Sequence, residues 1–421
     1  CGPGRLDSSR PGSTQKSLTP WDRCAFCRSS PSPEPHPLSQ TEESAVTVFR
    51  RLLRALGWGA AGVLIAAFLL GYAAPYLPPA RFWWTNLLAV LLPALSLVVG
   101  GLALGLSAQG LYRQQWGRVV VAAGLLLLLA LRFGPRLAAW SQVPSSFQDL
   151  RVMTLNVPPA FGSPTNESLT TLVGQQEPGI LAVQESRVRT GAAASPPILT
   201  HVSRSIRPLL SDSVGYTPPH RLPANVEIQQ PVLGRLPLDS LSVHPLPPRG
   251  QTDARSRYTR TQFTWQGQPA VLYNVHLHTV GKPRPWEMMI TEETFSLAHW
   301  QPFLRTYREG ALRRAQQARL LRRAIEREER PVIVVGDFNS TPHQWAYWHI
   351  AQGLQSAASR RLRGWTGTFP ADRPLVRIDH ILASPAWQIV AAQVPEPEGE
   401  TAVSDHRPVI AQLRWKRGRL D

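Results

Sequence analysis

Four short strings carry side chains that could do chemistry: Val183-Gln184-Glu185, Gly336-Asp337-Phe338-Asn339, Arg377-Ile378-Asp379-His380 and Ser404-Asp405-His406. Each sets a carboxylate beside a hydrogen-bonding neighbour, just after an apolar run that reads as a buried strand. Hard oxygen ligands at strand ends, with a histidine next to a carboxylate, are the parts needed for Mg²⁺-assisted cleavage of a phosphate ester. Glu185 is well placed to hold a hard cation, although such a residue taken alone reads more readily as a surface Glu opening a loop. Asp337 and Asn339 stand two apart, so in an extended turn both face one pocket. The Asp can bind metal or polarise water, and the Asn amide can donate to a phosphate oxygen. His406 has an ordinary pKa near neutrality and suits acid–base work. Asp379 is the obvious carboxylate for its other ring nitrogen. His276 ends the run Tyr273-Asn274-Val275-His276, where an imidazole could touch the scissile phosphate or the leaving group. Any one of these histidines reads as structural. Five polar sites at five strand ends do not.

The elements that must position these residues begin at about Leu150. Arg151–Val157, Ile180–Val183, Tyr258–Trp265, Pro269–His276, Pro331–Val335, Leu375–Leu382 and Val409–Trp415 read as strands, and Leu169–Gln176 and Gly310–Glu329 as helices. Gln266-Gly267 reads as the turn of a hairpin. Residues 187–225 are rich in Pro, Gly and Ser and place no element. Buried strands alternating with helices argue an α/β domain whose sheets are covered by helices.

Ahead of this domain the composition is different. Residues 1–45 are rich in Pro, Ser, Gly and charge and are expected to be disordered. Three apolar stretches follow within 46–140, at about 57–76, 82–106 and 116–132, each near the roughly 20 residues a membrane helix needs. Trp83, Trp84, Trp116 and Trp140 sit near their ends, where interfacial aromatics belong. Arg50, Arg51 and Arg54 precede the first stretch, so the positive-inside rule puts the N-terminus in the cytoplasm. Three crossings then place the rest of the chain outside the cytoplasmic membrane, with the bilayer itself as a partner. Arg132 and Arg136 oppose that orientation, and if the third stretch does not span, the domain is cytoplasmic.

The chain has 421 residues and a formal charge of +17, nearly all arginine, since Lys16, Lys282 and Lys416 are its only lysines. Such a surface attracts polyanions, nucleic acid or anionic headgroups, or is simply a solvated arginine-rich face. Cys24-x-x-Cys27 has no second C-x-x-C or nearby histidine pair to complete a zinc site. The region after Cys27 has no cysteine and so needs no disulfide. Cys1 opens the chain in place of Met, which suggests a fragment, a processed product or a misplaced start.

The order Asn156, Glu185, Asn274-x-His276, Gly-Asp337-Phe-Asn339, Ile-Asp379-His and Ser-Asp405-His406 resembles the endonuclease/exonuclease/phosphatase (DNase I-like) family, over about residues 149–415. The three apolar stretches, and Gly367-Thr368-Phe369-Pro370 before Arg377–Leu382, are similar to its bacterial membrane-anchored branch. The resemblance implies a four-layer α/β sandwich, two mixed sheets face to face with outer helices, and a Mg²⁺-dependent phosphoesterase, with Mn²⁺ as an alternative ion. It implies that Glu185 is the main metal ligand with Asn156 and Asp405 near the metal. It further implies that Asp337 and Asn339 position water and phosphate, that Asp379 orients His406, and that His276 contacts the phosphate. His406 is then the favoured general base, with Asp337 competing. Gly234-Arg235-Leu236-Pro237 departs from the Ser-Arg-x-Pro string common in the family. The stretch Lys282–Thr306, with Trp286 and Trp300, looks inserted and is expected to shape the substrate mouth. The expected substrate is a phosphodiester of DNA, RNA or a phospholipid headgroup, with no obligate protein partner and a short basic tail at 416–421. A phosphomonoesterase, or a silent membrane sensor on the same fold, are the alternatives.

Overall fold

The computed structural model describes residues 40–137, 146, 148–157, 166–194, 198–246, 257–281, 288, 296–362, 366–396 and 404–416. Three long helices come first: α1 (Gln40–Ala73), α2 (Thr85–Tyr112) and α3 (Trp116–Leu137). The stretches Thr47–Tyr76, which ends three residues past α1, Thr85–Tyr112 and Trp116–Gly134 have mean hydropathies of 1.8, 2.5 and 1.9 and are long and apolar enough to cross a membrane. Helix α1 begins inside the segment expected to be disordered. The chain divides into Cys1–Gly59 and Ala60–Asp421. The first unit is described only as the opening half of α1. Within the second, Phe68, Leu92, Val99, Ala103, Ala122 and Leu125 form a buried seam between the helices. Leu97, Leu104, Val120 and Leu127 point outward.

The strands that follow are β1 (Leu150–Asn156), β2 (Ile180–Gln184), β3 (Val188–Thr190), β4 (Leu199–Val202), β5 (Glu227–Ile228), β6 (Val232–Gly234), β7 (Leu238–Pro245), β8 (Arg257–Trp265), β9 (Gln268–His276), β10 (Val332–Asp337), β11 (Gln355–Ser356), β12 (Asp379–Ala383), β13 (Trp387–Gln393) and β14 (Val409–Trp415). They build a five-stranded sheet in the order β13-β14-β1-β2-β6, a six-stranded sheet in the order β11-β12-β10-β9-β8-β7, and a small sheet β4-β3-β5. Parallel pairs β1–β2 and β9–β10 sit among antiparallel neighbours, so both large sheets are mixed.

Strand alternation decides which side chains meet. In β10, Ile333 and Val335 face the core between the sheets, while Val332 and Val334 face the outer helices. In β9, Ala270 and Leu272 point inward and Val271, Tyr273 and Val275 outward. In β12, Ile381 and Ala383 point inward and Leu382 outward. The outer face of the six-stranded sheet is covered by α5 (Leu297–Glu326) through Ala318, Leu321 and Ile325, and by α6 (Trp345–Ala351) through Ala346, Tyr347 and Ile350. Leu169, Leu172 and Val173 of α4 (Asn166–Gln176) pack with the five-stranded sheet. The expected four-layer α/β sandwich is the observed one.

Helix α5 differs from the expectation. It starts at Leu297, runs through Pro302, and takes in the second half of the stretch read as an insertion. Phe303, Tyr307 and Ala311 recur every four residues along it and cluster with Trp300, Leu304, Val280, Trp83 and Leu87. Trp300 is thus part of a local core beside the start of α2. Trp286 lies outside the described residues, as do 1–39, Trp140 and 417–421.

Candidate functional site

Inward parity carried to the strand ends brings the polar residues together. In β9 the inward series continues from Leu272 to Asn274 and His276; in β10, from Ile333 and Val335 to Asp337; in β12, from Ile381 back to Asp379. The ladder registers Asp337 opposite His276 on one side and Asp379 on the other, so the three form a row across the sheet end. Across the core, Asn156 pairs with Gln184 at the end of the β1–β2 ladder, and Glu185 follows.

Asn156 spans the gap between the sheets. Its amide donates to Glu185 Oε1 and to Asp337 Oδ2, both at 3.1 Å. His276 Nε2 lies 3.7 Å from Glu185 Oε1 and 3.6 Å from Asp337 Oδ2. The Asn339 backbone N–H donates to Asp337 Oδ1 at 2.7 Å, and its side-chain amide to Asp337 Oδ2 at 3.2 Å and the Leu277 carbonyl at 3.0 Å. His406 Nδ1 and Asp379 Oδ2 are 2.8 Å apart, and His406 Nε2 stands 4.0 Å from Asp337 Oδ2. Asp405 is half-buried on the same turn, and its charge acts on His406. All eight residues singled out in the sequence therefore belong to one region.

Burial favours neutral groups, so the charges here are held by one another. Burial alone would lower the His406 pKa; the touching Asp379 carboxylate outweighs it, helped by Asp337 and Asp405, and lifts it to about 10. Burial first, then the neighbouring Asp379 charge, raises Asp337 to about 6, against the pull of His406 and His276.

The backbone is specialised where the side chains converge. Glu185 and Asn339 adopt left-handed φ values of 61° and 45°. Such conformations in non-glycine residues cost free energy and cluster at functional sites. Gly336 has φ +129°, and a Cβ there would lie 2.0 Å from the Val275 carbonyl oxygen. Strand β10 lies tight against β9 immediately before Asp337.

Several supporting residues gave no sign of their roles in the sequence. Gln184, fully buried, donates to Asn274 Oδ1 at 2.6 Å and to Thr154 Oγ1 at 3.0 Å, a polar tie between the sheets behind the site. Thr368 Oγ1 accepts the backbone N–H groups of Ile378 and Asp379 at 3.1 and 3.2 Å. Ser404 Oγ donates to the Asn156 carbonyl and accepts from the His406 N–H at 2.9 Å. Ser and Thr beside a motif look like any loop residue; only the fold supplies their partners.

The donor set fits a hard divalent cation. Asn156 Oδ1 and Asp379 Oδ1 are buried without a hydrogen-bond partner, and a ligand-free buried carbonyl beside carboxylates suits an oxygen-coordinated ion. Asp337, Asp379 and His406 each offer an atom within 4.8 Å of the others.

The sequence matches the model of the Endonuclease/Exonuclease/phosphatase family over residues 141–406, and the chain belongs to that family. Its members are in general hydrolases of phosphate esters and use divalent metal. No curated protein matches the chain in sequence. Similar solved structures include an endonuclease/exonuclease/phosphatase from Bacteroides vulgatus, 20% identical, covering 64% of this chain and 99% of that one at a TM-score of 0.45. A Bacteroides thetaiotaomicron mannosyl-6-phosphatase is 16% identical, covering 63% and 100% at 0.45. The human Nocturnin catalytic domain with bound sulfate is 17% identical, covering 66% and 97% at 0.43.

Proposed function

We propose that the chain is a membrane-held, Mg²⁺-dependent phosphoesterase that hydrolyses a phosphodiester by in-line attack of water. The observation that carries this is the convergence of Asn156, Glu185, His276, Asp337, Asn339, Asp379 and His406 at one end of the two sheets. Glu185, Asn156 and Asp405 would hold the ion, which supplies neutralisation of charge developing on the phosphate and leaving oxygens. His406, kept protonated by Asp379, suits a cationic contact to the phosphate. Asp337, raised to about 6, keeps its basicity near neutrality and is the better candidate for taking a proton from water. This reverses the preference drawn from sequence. In this reading His276 contacts a phosphate oxygen, and Asn339 does so by exchanging its present bond to Asp337.

The outward apolar side chains of the spans support a bilayer as their solvent. The end of the first span, the start of the second and the end of the third all contact one side of the sandwich, through Tyr76–Trp348, Asn86–Trp345 and Arg132–His343. That arrangement supports three crossings with the catalytic domain opposite the N-terminus. It also favours a phospholipid headgroup over nucleic acid, because the contacts adjoin the turn that follows Asn339. The test is a panel of DNA, RNA, phospholipid and phosphomonoester substrates, offered to purified chain in nanodiscs after chelation and after return of Mg²⁺ or Mn²⁺. Metal-restored cleavage of a diester is expected. A strict preference for monoesters would move the chain to the phosphatase reading, and no metal-dependent cleavage of any ester would refute the proposal.

A further inference from the structure

The turn after β10 is fastened to the apolar helices by buried polar groups. Residues 340–344 lead from Asn339 into α6, and Gln344 stands at its N-cap, yet the Gln344 side chain does not cap the helix. Its Oε1 accepts the Thr341 N–H at 2.7 Å, closing the turn. Its Nε2 donates to the Asn86 carbonyl at 3.2 Å and to Tyr307 Oη at 2.8 Å. The Trp345 N–H, an orphan of the first helical turn, is taken by Asn86 Oδ1 at 3.1 Å. Asn86 sits near the start of α2, so a residue of the second span caps a helix of the catalytic domain.

Asn86, Gln344, Thr341 and Tyr307 are all buried. Buried hydrogen bonds such as these hold the turn stiffly, because every displaced partner leaves an unsatisfied group out of water. Two further contacts act on the same element. Arg132 donates to His343 Nδ1 at 3.2 Å, and its guanidinium lies 5.2 Å over Trp348 and 5.3 Å over Tyr72. On the side of the site, the turn is joined to β12 by His380 Nε2 and the Ser340 carbonyl at 2.8 Å, next to Asp379. The turn thus has the spans at one end and Asp337, Asn339 and Asp379 at the other.

We infer that Asn86, Gln344 and Tyr307 are positioning residues of the phosphoesterase site. The second span, acting through the 340–345 turn, sets where Asp337 and Asn339 stand. This inference rests on the phosphoesterase reading of the site. The spans are then a working part of the catalytic unit, and what shifts α2 shifts turnover.

The test uses the full chain in detergent micelles with Mg²⁺ and bis(p-nitrophenyl) phosphate, a soluble diester that needs no membrane surface. Asn86→Ala strands the Trp345 N–H, and kcat is expected to fall roughly tenfold, since displacements of an ångström at a site cost up to about a hundredfold. KM and the half-saturating Mg²⁺ concentration should stay within about twofold, because Asn156 and Glu185 stand on the other sheet. Asn86→Asp keeps an acceptor for the same N–H and should restore most of the rate. Tyr307→Phe keeps the ring and loses one bond, so it is expected to fold even if Asn86→Ala does not and to lower kcat roughly threefold. Wild-type kcat in Tyr307→Phe and in any folded Asn86→Ala would overturn the inference. So would equal loss in Asn86→Asp and Asn86→Ala, or a loss confined to KM or to Mg²⁺ affinity. A wild-type chain inactive on every phosphate ester would instead refute the phosphoesterase reading beneath it.

Discussion

Gly336→Ala tests whether the close approach of β9 and β10 builds the site. The added Cβ would lie 2.0 Å from the Val275 carbonyl oxygen and 2.9 Å from its carbon and nitrogen, and ordinary contact begins at 3.4 Å. All three atoms are backbone, so no side chain can swing aside, and the strands must part by about 1.4 Å. The φ of +129° adds strain for any residue with a Cβ. Strain of about 1–3 kcal/mol and overpacking of about 1–3 kcal/mol give a loss near 4 kcal/mol, or a fall in Tm of roughly 10 °C for a domain of this size. Asp337 is the next residue and pairs with His276, so a shift of that size should also cost roughly a hundredfold in kcat. Gly267→Ala is the control. Its φ of +77° imposes strain, but nothing lies within 4 Å of the added carbon, and its hairpin is at the other end of β9. That variant should lose a few degrees in Tm and keep its kcat. Fluorescence-monitored melting and initial rates on a soluble diester give both readouts. A Gly336→Ala protein with the Tm and kcat of wild type would refute the reasoning.

Glu185→Gln removes one formal charge from the oxygen-ligand set, and the half-saturating Mg²⁺ concentration should rise at least about tenfold in a metal titration of the rate. His406→Ala should lower turnover by roughly 10²–10⁴-fold; purified variant at wild-type turnover would exclude His406 from the mechanism. Trp300→Ser should reduce thermal stability and slow soluble and vesicle-borne substrates alike, because Trp300 packs with Phe303 and Leu304. A selective loss on vesicles would mean that it contacts lipid instead. A reporter fused after Trp415 should be active only in its exported form, and a cytoplasmic-type signal there would reject the three-crossing topology.

Part of the site was legible because Glu185 and Asp337 follow runs of buried apolar residues, so strand parity aims them; Asp379 instead opens β12, ahead of its apolar run. Val332–Val335 before Gly336-Asp337 is the clearest case. Short strands were not legible: β6 and β11 have too few residues to show alternation, and their partners are far away in sequence. The start of α5 was missed for a different reason. Pro302 argues against a helix interior, and the compensation is packing of Phe303 and Tyr307 near Trp83 and Leu87, which one sequence cannot display. The same holds for Asn86. In sequence it is an isolated amide at the head of an apolar stretch, and only the fold brings Trp345 to it.

The alternation of β9, β10 and β12 also governs how this chain can change over time. Their inward-facing series supplies both the core and the reactive row, so reading frame along each strand is shared by stability and chemistry. Deleting Val332 from β10 would exchange the faces of everything beyond it, putting Phe338 where Asp337 belongs and Ile333 among the helices. Substitutions can tune such a site, but a single-residue gap inside a strand erases it. Past the strand ends no register is at stake, so a gained or lost residue there leaves the facing of the reactive row unchanged.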